Sequence, residues 1–307
     1  LKEVISMATD NQVRDEEVAQ ALQESLNTHG YGFQYAVLGL LNQLQESGRS
    51  AWVLERAEFP VEVRGYGTRI DFVLYRNSYA DDDRLSAYYM IAECKRANPA
   101  YSDWCFVQAP YTSAYSKKGQ VHLDRARLEY HHGLSVTRVG QNMGSKDYSA
   151  YHIGVEVKGK DKGDRHGSAK GVIEEAATQV LRGVNGMLEF LALHPPVFPD
   201  SRLITLVPVI FTTARLWVSD ADLSTADLSF SSGNIDLSKS GFRQKSWLLY
   251  DYNTSPGLKH TQPPEDNKTR HNSMSEIMER EYVRTIAVVS TTGIESFLDW
   301  SHKLLVR

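Results

Sequence analysis

The sequence predicts an α/β domain: a mixed central β-sheet flanked by helices. Three observations carry this. Thr68–Tyr75 and Tyr88–Arg96 are short runs of β-branched and aromatic residues joined by a polar turn. Leu203–Val218 is a further apolar, β-rich run. Between them Val172–Leu193 places Ala176, Val180, Val184, Met187 and Leu191 on one wide apolar face, the mark of a helix packed against a sheet.

Taken in order, Arg14–Thr28 predicts an amphipathic helix, with Val18, Ala21, Leu22 and Leu26 at helical spacing. Gly30-Tyr31-Gly32 punctuates the chain. Phe33–Glu46 then forms a core helix on Phe33, Val37, Leu40, Leu41 and Leu44, ending before Gly48. Ala51–Val63 reads as a strand that the Arg64–Gly67 turn folds back onto Thr68. Val63 opposite Thr68 sets Pro60 opposite Asp71 and Glu58 opposite Val73. Glu58 then shares Asp71's face, and so does Glu62, nearer the turn. Asn77–Ser86, with Asp81, Asp82 and Asp83, is an exposed loop.

Asn98-Pro99 ends the next strand, and an insertion runs from about 99 to about 164. It holds Tyr101, Trp104, Phe106, Tyr111 and Tyr115 beside Lys117, Lys118, Arg125 and Arg127. Such aromatics either stack nucleic-acid bases or form a small satellite core, and the core is the expectation for most. Cys105 reads as a small buried hydrophobe. His194-Pro195-Pro196 stops the long helix. Leu203–Val218 follows as one strand of the central sheet, and Ser219–Gln244 as a polar excursion. From about 245 to 307 an added region carries a strand at Lys245–Tyr252, a loop at Pro256–Asn272, a strand at Thr285–Ser290 and a helix at Ile294–Leu305. The chain reads as a single domain over 1–307, without internal repeats, a glycine-rich nucleotide fingerprint or a zinc pattern of cysteines.

Composition narrows the setting. With 307 residues, 41% of them hydrophobic, the chain can bury a large core. Two cysteines give no disulfide framework and point to a reducing cytoplasm. No apolar run spans a bilayer and no signal peptide is seen, so a soluble protein away from membranes is expected. The first residue is Leu1, so a native N-terminal piece is expected to be missing. A net charge of −4 leaves nucleic-acid binding to a local basic stripe.

Charge inside the two central strands marks the candidate site. Alternation points Ile70, Phe72 and Leu74 one way, and Asp71 and Val73 the other. Glu93 and Lys95 share a face, opposite Cys94. Buried charge requires compensation, which a divalent cation held by both carboxylates would supply. A lysine beside it can stabilise charge on a phosphoryl transition state. The plain alternative is an edge strand with solvated charges and an incidental Glu93–Lys95 pair.

Asp71 followed by Glu93-Cys94-Lys95 resembles the PD-(D/E)XK nuclease superfamily, which includes many restriction endonucleases. Ile70 stands where that pattern has proline. The resemblance covers about Phe33 to Val218 and implies a restriction-endonuclease-like fold that cleaves nucleic acid, DNA before RNA, with Mg2+ or Mn2+. On it, Asp71, Glu93 and Lys95 are catalytic. Asp71, Glu93 and the Cys94 backbone carbonyl hold the metal; by the hairpin register Glu58 is either a third carboxylate there or a solvated one on the hairpin. A helix residue beside the site, Gln179, is auxiliary. Gln34 is the nearest match to an acid on the preceding helix; an amide cannot do that job, and a surface position is expected for it.

Bacterial restriction or antiviral defence, a homodimer or a defence-system partner protein are further implications. The competing reading is a non-catalytic nucleic-acid-binding or assembly module that keeps the fold. A weaker third is an enzyme acting on another phosphorylated substrate. Tyr151–Lys158 contains a rival acid-x-lysine pair, Glu156 and Lys158, but the nearest preceding aspartate, Asp147, lies in a Gly/Ser-rich stretch. The glycine-rich segment after it carries Lys160, Lys162, Arg165, His166 and Lys170. With Lys158 it reads either as a cationic loop for a phosphate backbone or as solvated surface.

Overall fold

Alternating apolar residues on the central strands and two apolar helix faces dictate a three-layer arrangement, which a computed structural model of the chain displays. The structure describes residues 15–27, 30–63, 65–79, 85–109, 120–129, 133–142, 150–158, 171–194, 201–223, 227–229, 231–253 and 282–305. Helix α1 (15–27) precedes α2 (Tyr31–Glu46). A meander follows: β1 (Val53–Val63), β2 (Tyr66–Tyr79) and β3 (Leu85–Lys95). Next come β4 (Asp103–Gln108), the hairpin of β5 (Gln120–Glu129) and β6 (Gly133–Asn142), β7 (Ile153–Val157) and α3 (Val172–Leu193). The C-terminal half has β8 (Ser201–Thr212), β9 (Arg215–Asp222), β10 (Asp227–Leu228), β11 (Ile235–Asp236) and β12 (Phe242–Lys245). It closes with β13 (Trp247–Asn253), β14 (Val283–Ser290) and α4 (Ile294–Leu305).

The chain is α/β, with a mixed sheet. Among the described residues its main sheet runs β1-β2-β3-β8-β14-β13, antiparallel through β3, then parallel from β3 to β8 and from β8 to β14. β8 changes partner along its length. Leu203–Leu206 pair with β5, whereas Val209–Thr212 pair with β14. Pro208, which has no N–H to give a ladder, sits at the changeover. A second sheet runs β12-β9-β4-β7.

α3 covers one face of the main sheet, burying Ile173, Ala177, Val180, Val184 and Leu188 against Val73, Tyr89, Ile91 and Ile210. α2 and α4 cover the other, where Val37, Leu41, Leu44 and Phe297 meet Phe72, Leu74, Met90 and Phe211. Each fully buried Leu, Val or Phe contributes roughly 1.5–3 kcal/mol. Two glycines let α3 lie close. A Cβ at Gly183 would stand 3.0 Å from Ile70 and 3.1 Å from Ile91, and one at Gly186 only 2.5 Å from Val61.

Two strand expectations need correction. The first hairpin is tighter: Val63 pairs with Tyr66 and Pro60 with Arg69, because a two-residue register shift closes the turn on Gly65. Leu203–Val218 is two strands in two sheets, broken at Thr213–Ala214. The segment after Asn98 supplies β5 to the main sheet and β4 and β7 to the second. Trp104 and Phe106 are fully buried in the α3-side core, with Phe106 packed edge-on against Tyr250. The apolar stripe of α1 is exposed at Val18, Leu22 and Leu26. Asp81, Asp82, Asp83, Tyr111, Tyr115, Lys117, Lys118, Asp147 and the 256–272 segment lie outside the described residues. Among the described residues, no helix is long and apolar enough to cross a membrane.

Candidate functional site

The acid-x-lysine strand is placed as alternation demands. Tyr89 and Ile91 on β3 face α3 while Tyr88, Met90 and Ala92 face α2 and α4, so Glu93 and Lys95 continue the α3 side. Beside it β2 breaks its own alternation. Phe72 and Leu74 point towards α2, but Ile70 joins Val73 on the α3 side.

The break coincides with Glu58 on β1. Ala57 pairs with Phe72 and Phe59 with Ile70, which sets Glu58 across from Asp71, not from Val73. Glu58 has φ 52°, a left-handed backbone that a non-glycine residue adopts at a cost of about 1–3 kcal/mol. That kink turns its carboxylate to Gln34 of α2. The Gln34 side-chain amide donates to Glu58 Oε1 at 2.7 Å and to the Asp71 carbonyl at 2.9 Å. Gln34 is therefore buried, at 4% exposure, and not a surface residue. Its amide can bridge an acid and a carbonyl, as a second carboxylate there could not. Arg69 holds the other oxygen of Glu58 at 3.1 Å.

Asp71 and Glu93 meet where β2 and β3 separate. The last regular pair is Phe72 with Ala92. Beyond it the Cys94 N–H donates to Asp71 Oδ2 at 2.6 Å, so a side chain takes the place of the missing ladder partner. A strand residue directs its N–H and C=O to the same edge, so the Cys94 carbonyl faces this gap as well. Burial pushes the Glu93 carboxyl up to about 8, and the neighbouring Asp71 charge adds to the rise while Lys95 opposes it. Asp71 is raised too, first by burial, against the pull of the Cys94 N–H. Two carboxylates that burial and neighbouring acids both raise, Asp71 by Glu58 and Glu93 by Asp71, are a site short of positive charge. Cys94 and Cys105 are free thiols, and burial pushes the Cys94 thiol far up.

Lys95 lies between two acids, 3.3 Å from Glu93 Oε1 and 3.4 Å from Glu175 Oε1. Glu175, in the first turn of α3, was not singled out by sequence reasoning. The signal that could have found it is its i, i+4 relation to Gln179, at the border of the apolar stripe. Gln179 is half-buried, and its Oε1 is fully buried without a hydrogen-bond partner. On α3 it stands midway between Glu175, beside Lys95, and Gly183, beside Ile91. Four helical residues rise about 6 Å, nearly the span of two strand residues, so Gln179 is level with Glu93.

The rival pair has a different place. Glu156 sits on β7 in the second sheet, opposite Trp104, and its Oε1 accepts the N–H of Val172. It thereby caps α3, whose N-cap residue is Gly171 and offers no side chain. Lys158 is exposed, while Lys160, Lys162, Arg165, His166 and Lys170 lie outside the described residues. Glu156→Ala is expected to cost about 0.5–2 kcal/mol in urea unfolding, the usual worth of a helix cap, with cation binding unchanged. Loss of cation binding in that variant would move the centre to Glu156.

Among the described residues no three His, Cys, Asp or Glu side chains group closely enough to form a metal cage. The Asp71–Glu93 pair, with a nearby backbone carbonyl and the orphaned Gln179 oxygen, suits a cation that keeps several waters, as magnesium does. No protein-family model, curated protein or solved structure matches this chain.

Proposed function

We propose that this chain is a metal-dependent nuclease that hydrolyses phosphodiester bonds, with DNA the preferred substrate over RNA. The observation that carries the reading is the meeting of Asp71 and Glu93 in one buried gap, with the Lys95 ammonium 3.3 Å from Glu93 on the same side. The element order supports it: a helix, a hairpin bearing Asp71, the strand of Glu93 and Lys95, a helix, and a strand parallel to β3. That order agrees with the restriction-endonuclease-like nucleases, and on that resemblance a role in restriction or antiviral defence follows.

Asp71, Glu93 and the Cys94 carbonyl would hold the Mg2+ or Mn2+. When bound, the ion would neutralise phosphate oxygens and make a coordinated water more acidic. The chain's own groups do the rest. The Cys94 N–H fixes the Asp71 carboxylate, and Glu175 steers the Lys95 ammonium. Lys95 donates to a phosphoryl oxygen as negative charge grows on it, and Gln179 Oε1 would accept a hydrogen bond from the attacking water and orient it. Glu58, engaged by Gln34 and Arg69, acts through its charge on Asp71. A segment from Lys158 to Lys170 would meet the phosphate backbone, and replacing its cations would flatten the salt dependence of binding.

Incubation with plasmid, linear DNA and RNA, with and without magnesium, tests the activity; no cleavage of any of them removes it. The centre has its own test. Calorimetry should show magnesium or manganese binding to the wild type that weakens sharply in Asp71→Ala. The pH dependence has a definite sign. Glu93 is raised in the fold from 4.5 to about 8, so the metal-free protein is most stable at low pH in this respect. That contribution is lost as pH rises from about 5 towards 8, because the folded state alone holds the proton there. Saturating magnesium should remove most of the slope in a urea-unfolding series. A slope unaltered by magnesium would argue against a cation at Glu93.

A further inference from the structure

A second group of polar side chains lies on the opposite face of the main sheet, five residues along both central strands from the carboxylates. The registers Arg76–Tyr88, Tyr88–Thr205 and Thr205–Arg125 set four residues side by side across β2, β3, β8 and β5. Alternation puts all four on the α2 and α4 side, in line with Leu74, Met90, Val207 and Leu123 one row away. A row of large apolar residues is what this position calls for. The chain instead supplies two guanidiniums, a phenol and a hydroxyl.

Arg76, Tyr88 and Thr205 are buried and Arg125 is half-buried, and all but Tyr88 hold buried polar atoms that are unsatisfied. Arg76 is 7% exposed and Thr205 is fully buried. Arg76 Nε and Nη1, Arg125 Nε and Thr205 Oγ1 have no hydrogen-bond partner. Burial lowers both guanidinium pKa values, and Tyr88 is the neighbour that opposes this for each, as its place in the row beside them requires. A buried cation without a partner is strongly disfavoured, and a buried polar group without one calls for an occupant. Guanidinium forks and hydroxyls are the donors that bind oxyanions bidentately.

We propose that Arg76, Tyr88, Thr205 and Arg125 form a binding site for a phosphate group carried by a small molecule. The burial of the row suits a free phosphate or a mononucleotide, not the backbone of a duplex. The site is about 17 Å along β2 from Asp71, on the other face, and is independent of the hydrolytic reading.

Thermal unfolding of the full chain at fixed ionic strength tests it, with inorganic phosphate in one arm and a 5′-mononucleotide in the other. At a hundredfold excess over Kd the wild-type Tm should rise by about 5 °C in at least one arm, and the arm that responds identifies the source of the phosphate. Arg76→Gln should abolish the rise, and Arg125→Gln should weaken affinity about tenfold or more. Asp71→Asn should keep it in full. Thr205→Val preserves shape and should weaken affinity several-fold even if an arginine variant fails to fold. No rise in either arm for the wild type, or an equal rise in every variant, overturns the proposal.

Discussion

Lys95→Ala is expected to lower the single-turnover cleavage rate by about a hundred- to a thousandfold, the usual loss on removing one preorganised electrostatic contact. Substrate binding should change little, because the contact is made only as negative charge develops on the phosphoryl oxygens. The geometry favours this over a purely structural role. Lys95 is shared between Glu93 and Glu175 at 3.3 and 3.4 Å, its side chain is 19% exposed, and Glu175 is largely solvated. A pair that served only to neutralise Glu93 would lower Tm and leave the rate per folded molecule near normal. Thermal stability and single-turnover cleavage measured on one preparation separate the two. Full activity in a folded Lys95→Ala protein would remove Lys95 from the chemistry. Glu175→Gln keeps the shape and loses only the steering charge, so its effect should be much smaller.

Asp124→Ala should destabilise the fold by about 3–5 kcal/mol, the cost of breaking a buried ion pair from one side. Both Asp124 oxygens accept from Arg284 Nε at 3.0 Å, and each side chain is 4% exposed. The pair ties β5 to β14 where both meet β8. Thr285 extends it, accepting the His122 N–H at 2.8 Å and donating to Asp251 at 2.6 Å. Replacing Asp124 and Arg284 together by leucine and methionine should recover much of the loss, since no charge is then left alone. Urea unfolding of the two single variants and the double variant measures the coupling; additive losses would mean that the pair is not coupled. His122 adds an acid sensitivity. Burial, with the Arg284 charge, holds its imidazole down at about 4. The unfolded chain takes up that proton first, so this stability is present above about 6.5 and is lost as pH falls through 4.

Local pattern carried a large part of the architecture. The apolar stripes of α2, α3 and α4 are set by residues three and four apart, and these helices lie within two residues of their predicted limits. Strand alternation likewise put Glu93 and Lys95 on one face and Cys94 on the other, since that period is a property of the extended backbone. The failures come where a second segment decides. A hairpin register depends on which turn closes it, and Val63 with Tyr66 could not be told from Val63 with Thr68 by composition. Leu203–Val218 is mostly apolar, and Thr212 and Thr213 at its break are β-branched residues at home in a strand, so composition alone does not mark where the chain leaves one sheet for another.

The candidate site divides in the same way. The sequence by itself determined which residues are proposed to carry its chemistry, Asp71, Glu93 and Lys95, because charge inside β-branched runs is visible without a fold. Only the tertiary structure decided their company. Glu175 reaches Lys95 across eighty residues, Gln34 reaches Glu58 across twenty-four, and Glu156 leaves the site to cap α3. Long-range contacts of this kind are fixed by how closely helices seat on the sheet. Here that closeness rests on Gly183, Gly186 and the left-handed turn at Glu58, whose effects appear only once the layers are packed.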